Sequence, residues 1–154
     1  MISRCAGLGP SQHLSPGTDA GDAYPLDAAM TPCRAPQILV VEDEILLSVA
    51  LEDMLLDLGM EVSGSAARLD DAVRLAQNGT FDAAILDINL GGIESFPVAD
   101  WLVARGIPYM FVTGYGQAVM APAHRLALRL QKPYAVEQIA AGLRTLLKNR
   151  ALST

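Results

Sequence analysis

Acids, a hydroxyl and an ammonium recur in this sequence at one kind of place, the carboxyl end of an apolar run. Gln37 to Val41 is followed at once by Glu42, Asp43 and Glu44, Phe81 to Leu86 runs into Asp87, Ile107 to Val112 into Thr113, and Leu126 to Leu130 is closed by Lys132 and Pro133. Carboxylates gathered in a partly buried pocket repel one another and need a cation. An all-oxygen set with room for water suits Mg²⁺, which prefers octahedral geometry and often also holds a phosphate oxygen. A threonine hydroxyl that hydrogen-bonds one phosphoryl oxygen and a lysine ammonium that neutralises another form the electrostatic clamp that phosphoryl transfer requires. Each residue has a plainer reading. Asp87 caps a turn, the acids after Val41 decorate a helix start where the positive dipole end favours them, Thr113 forms a turn, and Lys132 is a solvated charge. The case for chemistry is their joint occurrence.

The elements that must position these groups alternate in type. The four apolar runs read as strands, together with Met60 to Ser65. Between them lies a helix in which Leu47, Leu51, Met54 and Leu58 recur at i, i+4, i+7 and i+11, ended by Gly59, and a second over Asp70 to Asn78, ended by Gly79. A loop with Gly91 and Gly92 leads to a third helix over Pro97 to Arg105, where Pro97 suits the first turn and Trp101 is expected to pack. Gln117 to Arg125 is ambiguous, because Pro122 leaves room for about two helical turns. Val136 to Lys148 is the last helix, with Ile139, Leu143 and Leu146 inward. Strands alternating with helices imply right-handed crossovers and an α/β fold. The expected architecture is a doubly wound five-stranded parallel sheet in the flavodoxin-like order 2-1-3-4-5 with helices on both faces, which puts Glu42 and Asp43 beside Asp87 at the switch point.

The chain of 154 residues has the length of one domain, and 51% hydrophobic with 18% charged residues fits a globular core. A net charge of -6 argues against a large phosphate-backbone footprint, so nucleic acid is not an expected direct partner. Cys5 and Cys33 cannot build a disulfide framework or a metal cluster, and the default setting is reducing and cytoplasmic. No apolar run reaches the roughly 18 to 20 residues of a membrane span, and the amino terminus lacks a signal-peptide core. Residues 1 to 36 carry five prolines and four glycines without periodicity and are read as a disordered extension. Met30 is a candidate translation start, and His13 reads as a solvated residue.

The segments ILVVEDE, AAILDINL, FVTGYG and LQKPY resemble the successive motifs of the response-regulator receiver domain of two-component signalling, over about residues 36 to 150. The resemblance implies that Asp87 accepts a phosphoryl group from a phosphohistidine of a histidine kinase or phosphotransferase protein. It further implies that Asp43 binds Mg²⁺ directly, that Glu42 helps through water, that the Asn89 backbone carbonyl completes the protein ligands, and that Thr113 and Lys132 contact the phosphoryl group. It implies a cis Lys132–Pro133 peptide. The run Phe111 to Tyr115 is similar to a subgroup named for a Phe-x-Thr-Gly-Tyr motif and associated with HWE-type kinases. Three residues before the lysine, where many receivers hold an aromatic switch residue, stands Arg129. Tyr115 is a candidate shield for the acyl phosphate.

Nothing follows Thr154 in the sequence, so output by protein contact and service as a phosphate sink are both open expectations. Two other classes compete. One is a pseudo-receiver that binds partners without being phosphorylated. The other is a phosphatase or phosphotransferase with an aspartyl nucleophile, but such enzymes want a second Asp two residues on, and Asn89 stands there.

Overall fold

The strand that ends on Asp87 lies at the centre of the sheet and is buried along its whole length, as its unbroken apolar sequence requires. In the computed structural model, which describes residues 34–114 and 119–153, the element order is β1 (Gln37–Val41), α1 (Ile45–Asp57), β2 (Glu61–Ala66), α2 (Leu69–Asn78), β3 (Ala83–Asp87), β4 (Asn89–Leu90), β5 (Ile93–Glu94), α3 (Phe96–Ala104), β6 (Tyr109–Thr113), a 3-10 turn (Pro122–His124), β7 (Leu128–Gln131) and α4 (Val136–Leu152). The expectations for residues 1 to 33, for a start at Met30 and for Tyr115 lie outside the described residues.

Five strands form one parallel sheet in the order β2-β1-β3-β6-β7. With the small β4–β5 hairpin set aside, that is the expected order 2-1-3-4-5. Side chains alternate across the sheet and divide the interior in two. On one face Leu39, Val41, Ala84, Leu86 and Phe111 pack with Ala72 and Ala76 of α2 and Val98, Ala99 and Leu102 of α3. On the other, Ile38, Val40, Ile85, Met110 and Val112 pack with Leu51 and Leu55 of α1 and Ile139, Leu143 and Leu146 of α4.

Two packing expectations need correction. On α1 the buried pair is Leu51 and Leu55, while Leu47, Met54 and Leu58 are only half-buried and Ile45, Leu46, Val49 and Leu56 are exposed. The helix is apolar nearly all round, so periodicity alone left the phase of its buried stripe ambiguous. Trp101 is 43% exposed rather than packed, because the buried stripe of α3 is Val98, Ala99 and Leu102. The guanidinium of Arg105 instead donates to the carbonyls of Ala76 (2.8 Å) and Gly79 (2.7 Å), meeting orphan acceptors at the end of α2.

The loop carrying Gly91 and Gly92 is a hairpin, with Asn89 opposite Glu94 and Leu90 opposite Ile93. Both glycines have positive φ, 63° and 96°, as a two-residue hairpin turn demands. Among the described residues of the ambiguous stretch before β7, the regular element is the three-residue turn Pro122–His124. Among the described residues no helix is long and apolar enough to cross a membrane.

Candidate functional site

Parallel register brings the strand tips together. Val41 of β1 is level with Leu86 of β3, Asp87 with Val112 of β6, and Thr113 with Gln131 of β7. The residues just past those tips therefore surround one notch at the carboxyl edge of the sheet, where open α/β sheets place their ligands. Glu42 (2% exposed) and Asp87 (6%) are buried there, and Asp43 stands exposed at the rim. Each of the three offers a carboxylate oxygen, and these oxygens lie within 4.8 Å of one another. Glu44 is exposed at the N-cap position just before α1, with its N–H donating to Glu42 Oε1 at 3.1 Å.

Lys132 crosses the notch. Its ammonium donates to Glu42 Oε2 at 2.6 Å and to Asp87 Oδ2 at 2.7 Å, so it is paired rather than solvated. The backbone holds it there, since the Lys132 N–H donates to the Thr113 carbonyl at 2.7 Å and the following Lys132–Pro133 peptide is cis. Asp87 has a second partner in the Asn89 N–H, which donates to Oδ1 at 3.0 Å. These contacts leave the acids oriented by fixed donors, which a low-dielectric pocket strengthens.

Burial pushes the Glu42 carboxyl above its usual range, and the negative charge of Asp87 adds to that, against the opposing pull of Lys132 and the Glu44 N–H. Burial alone lowers the Lys132 ammonium, but hydrogen bonds and charge from Asp87 and Glu42 outweigh it and the net shift is upward. Tyr134 lies close enough to feel the same charges, and its phenol is raised by burial first and by Glu42 next.

The structure brings together Glu42, Asp43, Asp87 and Lys132. Thr113 lies at the tip of β6 as expected from its strand, but its hydroxyl donates to its neighbour, the Gly114 carbonyl, at 3.3 Å. Asn89 sits in the hairpin, its side-chain oxygen accepting from the Gly92 N–H at 2.6 Å. Two residues escaped the sequence reading. Tyr134 follows the Lys-Pro pair and offered only its position. His124 lay in the stretch of ambiguous structure, where no period marked it as buried.

The model of the response regulator receiver domain matches residues 38–144. The chain belongs to that family. This receiver is 41% identical to SdrG of Sphingomonas melonis Fr1, whose solution structure matches with a TM-score of 0.66 over 73% of this chain and 97% of that one. A BeF3-activated conformation of SdrG, from Pseudomonas melonis Fr1, matches at 39% identity with a TM-score of 0.63, covering 75% and 99%. The transcriptional regulatory protein PdtaR of Mycobacterium tuberculosis is 27% identical over 128 residues, 80% of this chain, and the chain spans 58% of that relative's length. A CheY-like receiver from Methanospirillum hungatei JF-1, at 22% identity and a TM-score of 0.70 over 78% and 99%, shares the fold.

Receiver domains act as phosphoacceptors in two-component signalling rather than as turnover enzymes, and they work with a histidine kinase or a phosphotransfer partner. They bind Mg²⁺ at an acidic pocket, and the donor set here fits that ion: three carboxylates, hard oxygen ligands, converging from two strand tips.

Proposed function

We propose that this receiver accepts a phosphoryl group on Asp87 from a histidine kinase or phosphotransferase and signals through contacts that depend on that phosphorylation. The observation that carries the reading is the double salt bridge from Lys132 to Glu42 and Asp87, which fixes a nucleophile beside a cation at the sheet's switch point. An Asp87 carboxylate oxygen attacks the phosphorus of a phosphohistidine, the P–N bond breaks with its electrons leaving on the imidazole, and an acyl phosphate forms. Lys132 then shifts from the carboxylate to a phosphoryl oxygen, and the Thr113 hydroxyl turns from Gly114 to donate to another. Glu42, Asp43, Asp87 and the Asn89 carbonyl would hold Mg²⁺. When bound, the ion neutralises charge on the phosphoryl oxygens.

On this reading the receiver comprises residues 37–150 and operates in the cytoplasm. The run Phe111 to Tyr115 is what supports the assignment to the Phe-x-Thr-Gly-Tyr subgroup and, with it, an HWE-type kinase partner. Output is by protein contact or by draining phosphate from a kinase. Incubation with acetyl phosphate and Mg²⁺ should add the mass of one phosphoryl group, and Asp87→Asn should abolish the gain. A wild-type chain that stays unmodified with every small phosphodonor would leave a pseudo-receiver binding module as the better reading.

A further inference from the structure

Residues 119–127 lead from the site to β7 with almost no regular structure to hold them. Their internal backbone bonds are few: the His124 N–H donates to the Ala121 carbonyl at 2.9 Å, the Arg125 N–H to the Pro122 carbonyl at 3.5 Å and the Ala127 N–H to the His124 carbonyl at 3.0 Å. Val119 is 84% exposed and Leu126 is 101% exposed. Met120 and Ala127 touch the core from half-buried positions. One residue of the nine is buried, and it is polar: His124, 2% exposed.

The His124 ring sits among three others, with centroids 5.7 Å from Phe96, 5.8 Å from Tyr109 and 5.9 Å from Phe111. Its Nε2 lies 2.9 Å from Asp100 Oδ1 and its Nδ1 lies 2.7 Å from the Tyr109 hydroxyl. An ionised carboxylate only accepts, so Nε2 carries the hydrogen, and in the neutral ring Nδ1 accepts from the Tyr109 hydroxyl. One side chain thus ties the segment to α3 through Asp100 and to β6 through Tyr109.

That attachment is in line with the site. Tyr109, Phe111 and Thr113 occupy positions i, i+2 and i+4 of β6 and so share one face of the sheet. His124 packs on the first two. The third, Thr113, has its hydroxyl turned to the Gly114 carbonyl rather than into the notch. Exchanging the histidine's two buried hydrogen bonds for bonds to water costs little net, so a docked and a released segment can lie close in free energy.

We propose that His124 is a latch that holds residues 119–127 on α3 and β6 in the resting arrangement, and that drawing Thr113 toward a phosphoryl group on Asp87 works against it. The inference rests on the phosphoacceptor reading. It makes His124 a positioning residue, acting on the site through β6 and touching no reacting atom. Coupling between sites is reciprocal: if a filled notch weakens the latch, a weakened latch must tighten the notch's hold on its ligand.

Beryllofluoride with Mg²⁺ serves as the probe, titrated into wild-type, Tyr109→Phe and His124→Ala chains while amide hydrogen exchange is followed. Tyr109→Phe keeps the ring and removes only the hydroxyl, so it answers the question if His124→Ala fails to fold. The latch predicts faster exchange at residues 119–127 with α1 unchanged, and beryllofluoride affinity about fivefold or more tighter than wild type. Loss of stability by itself would not tighten binding. Folded variants with equal or weaker affinity, or with unaltered exchange at 119–127, overturn the latch. A wild-type chain that takes up no beryllofluoride overturns the phosphoacceptor reading and the coupling with it, and the exchange comparison then judges the docking alone.

Discussion

Lys132 is the residue on which the notch's electrostatics turn. Its ammonium bridges two buried carboxylates, so truncating it leaves Glu42 and Asp87 facing each other without a shared cation. Lys132→Ala should cost about 1–3 kcal/mol in urea unfolding without divalent cation, with part of the loss restored by Mg²⁺. A variant as stable as wild type in both conditions would show that the bridge contributes nothing. Glu42, Asp43, Asp87 and Lys132 were legible in the sequence because each follows a strand-length apolar run, and parallel strands gather such residues at one edge. The rotamer of Thr113 was not, since strand position fixes which face a residue takes but not where its hydroxyl points. Nor was the burial of His124, which depends on rings contributed by Phe96, Tyr109 and Phe111 from distant parts of the chain.

Elements differ in how plainly the sequence announced them. The parallel strands are short, apolar and buried, so their composition stands out even where boundaries move by one or two residues, as when β6 runs from Tyr109 rather than Ile107. The β4–β5 hairpin has two residues per strand, too few for any period, and only its glycine pair signalled a turn. That turn has a function beyond closure. A Cβ built on Gly91 would lie 3.7 Å from Asp43 Oδ2, so the hairpin reaches the rim of the acidic notch while its first residue, Asn89, donates to Asp87. Gly91→Val and Gly92→Val should each cost about 1–2 kcal/mol, because a branched side chain resists the left-handed backbone. Chemical denaturation measures the cost, and a Mg²⁺ titration of the folded variants should show weaker binding through the displaced Asn89 and Asp43. Unchanged Mg²⁺ affinity would separate the hairpin from the site.

At the scale of the whole molecule, the sheet divides two apolar layers, and each layer carries a titratable group at its margin. Tyr109 on the α3 side is raised above 10.0 by burial and by the charge of Asp100. Tyr134 on the α4 side is raised by burial and by Glu42, and Lys132 is raised above 10.5 because its two carboxylate partners outweigh its burial. Folded-state values above the unfolded ones mean stability that is fully present below about pH 10 and lost as pH rises through the folded values. The urea midpoint should therefore fall on the alkaline side, and Tyr109→Phe should flatten part of that fall. A midpoint that is level to pH 12 would contradict these shifts.

Trp101 is the chain's single tryptophan and stands 43% exposed on α3, next in sequence to Asp100, the carboxylate bonded to His124. The molecule therefore carries its own optical gauge. Indole emission responds to wetting, so a dye-free fluorescence titration can follow events at this helix, with a blue shift when a partner covers it and a change in quenching when the neighbouring carboxylate loses its histidine.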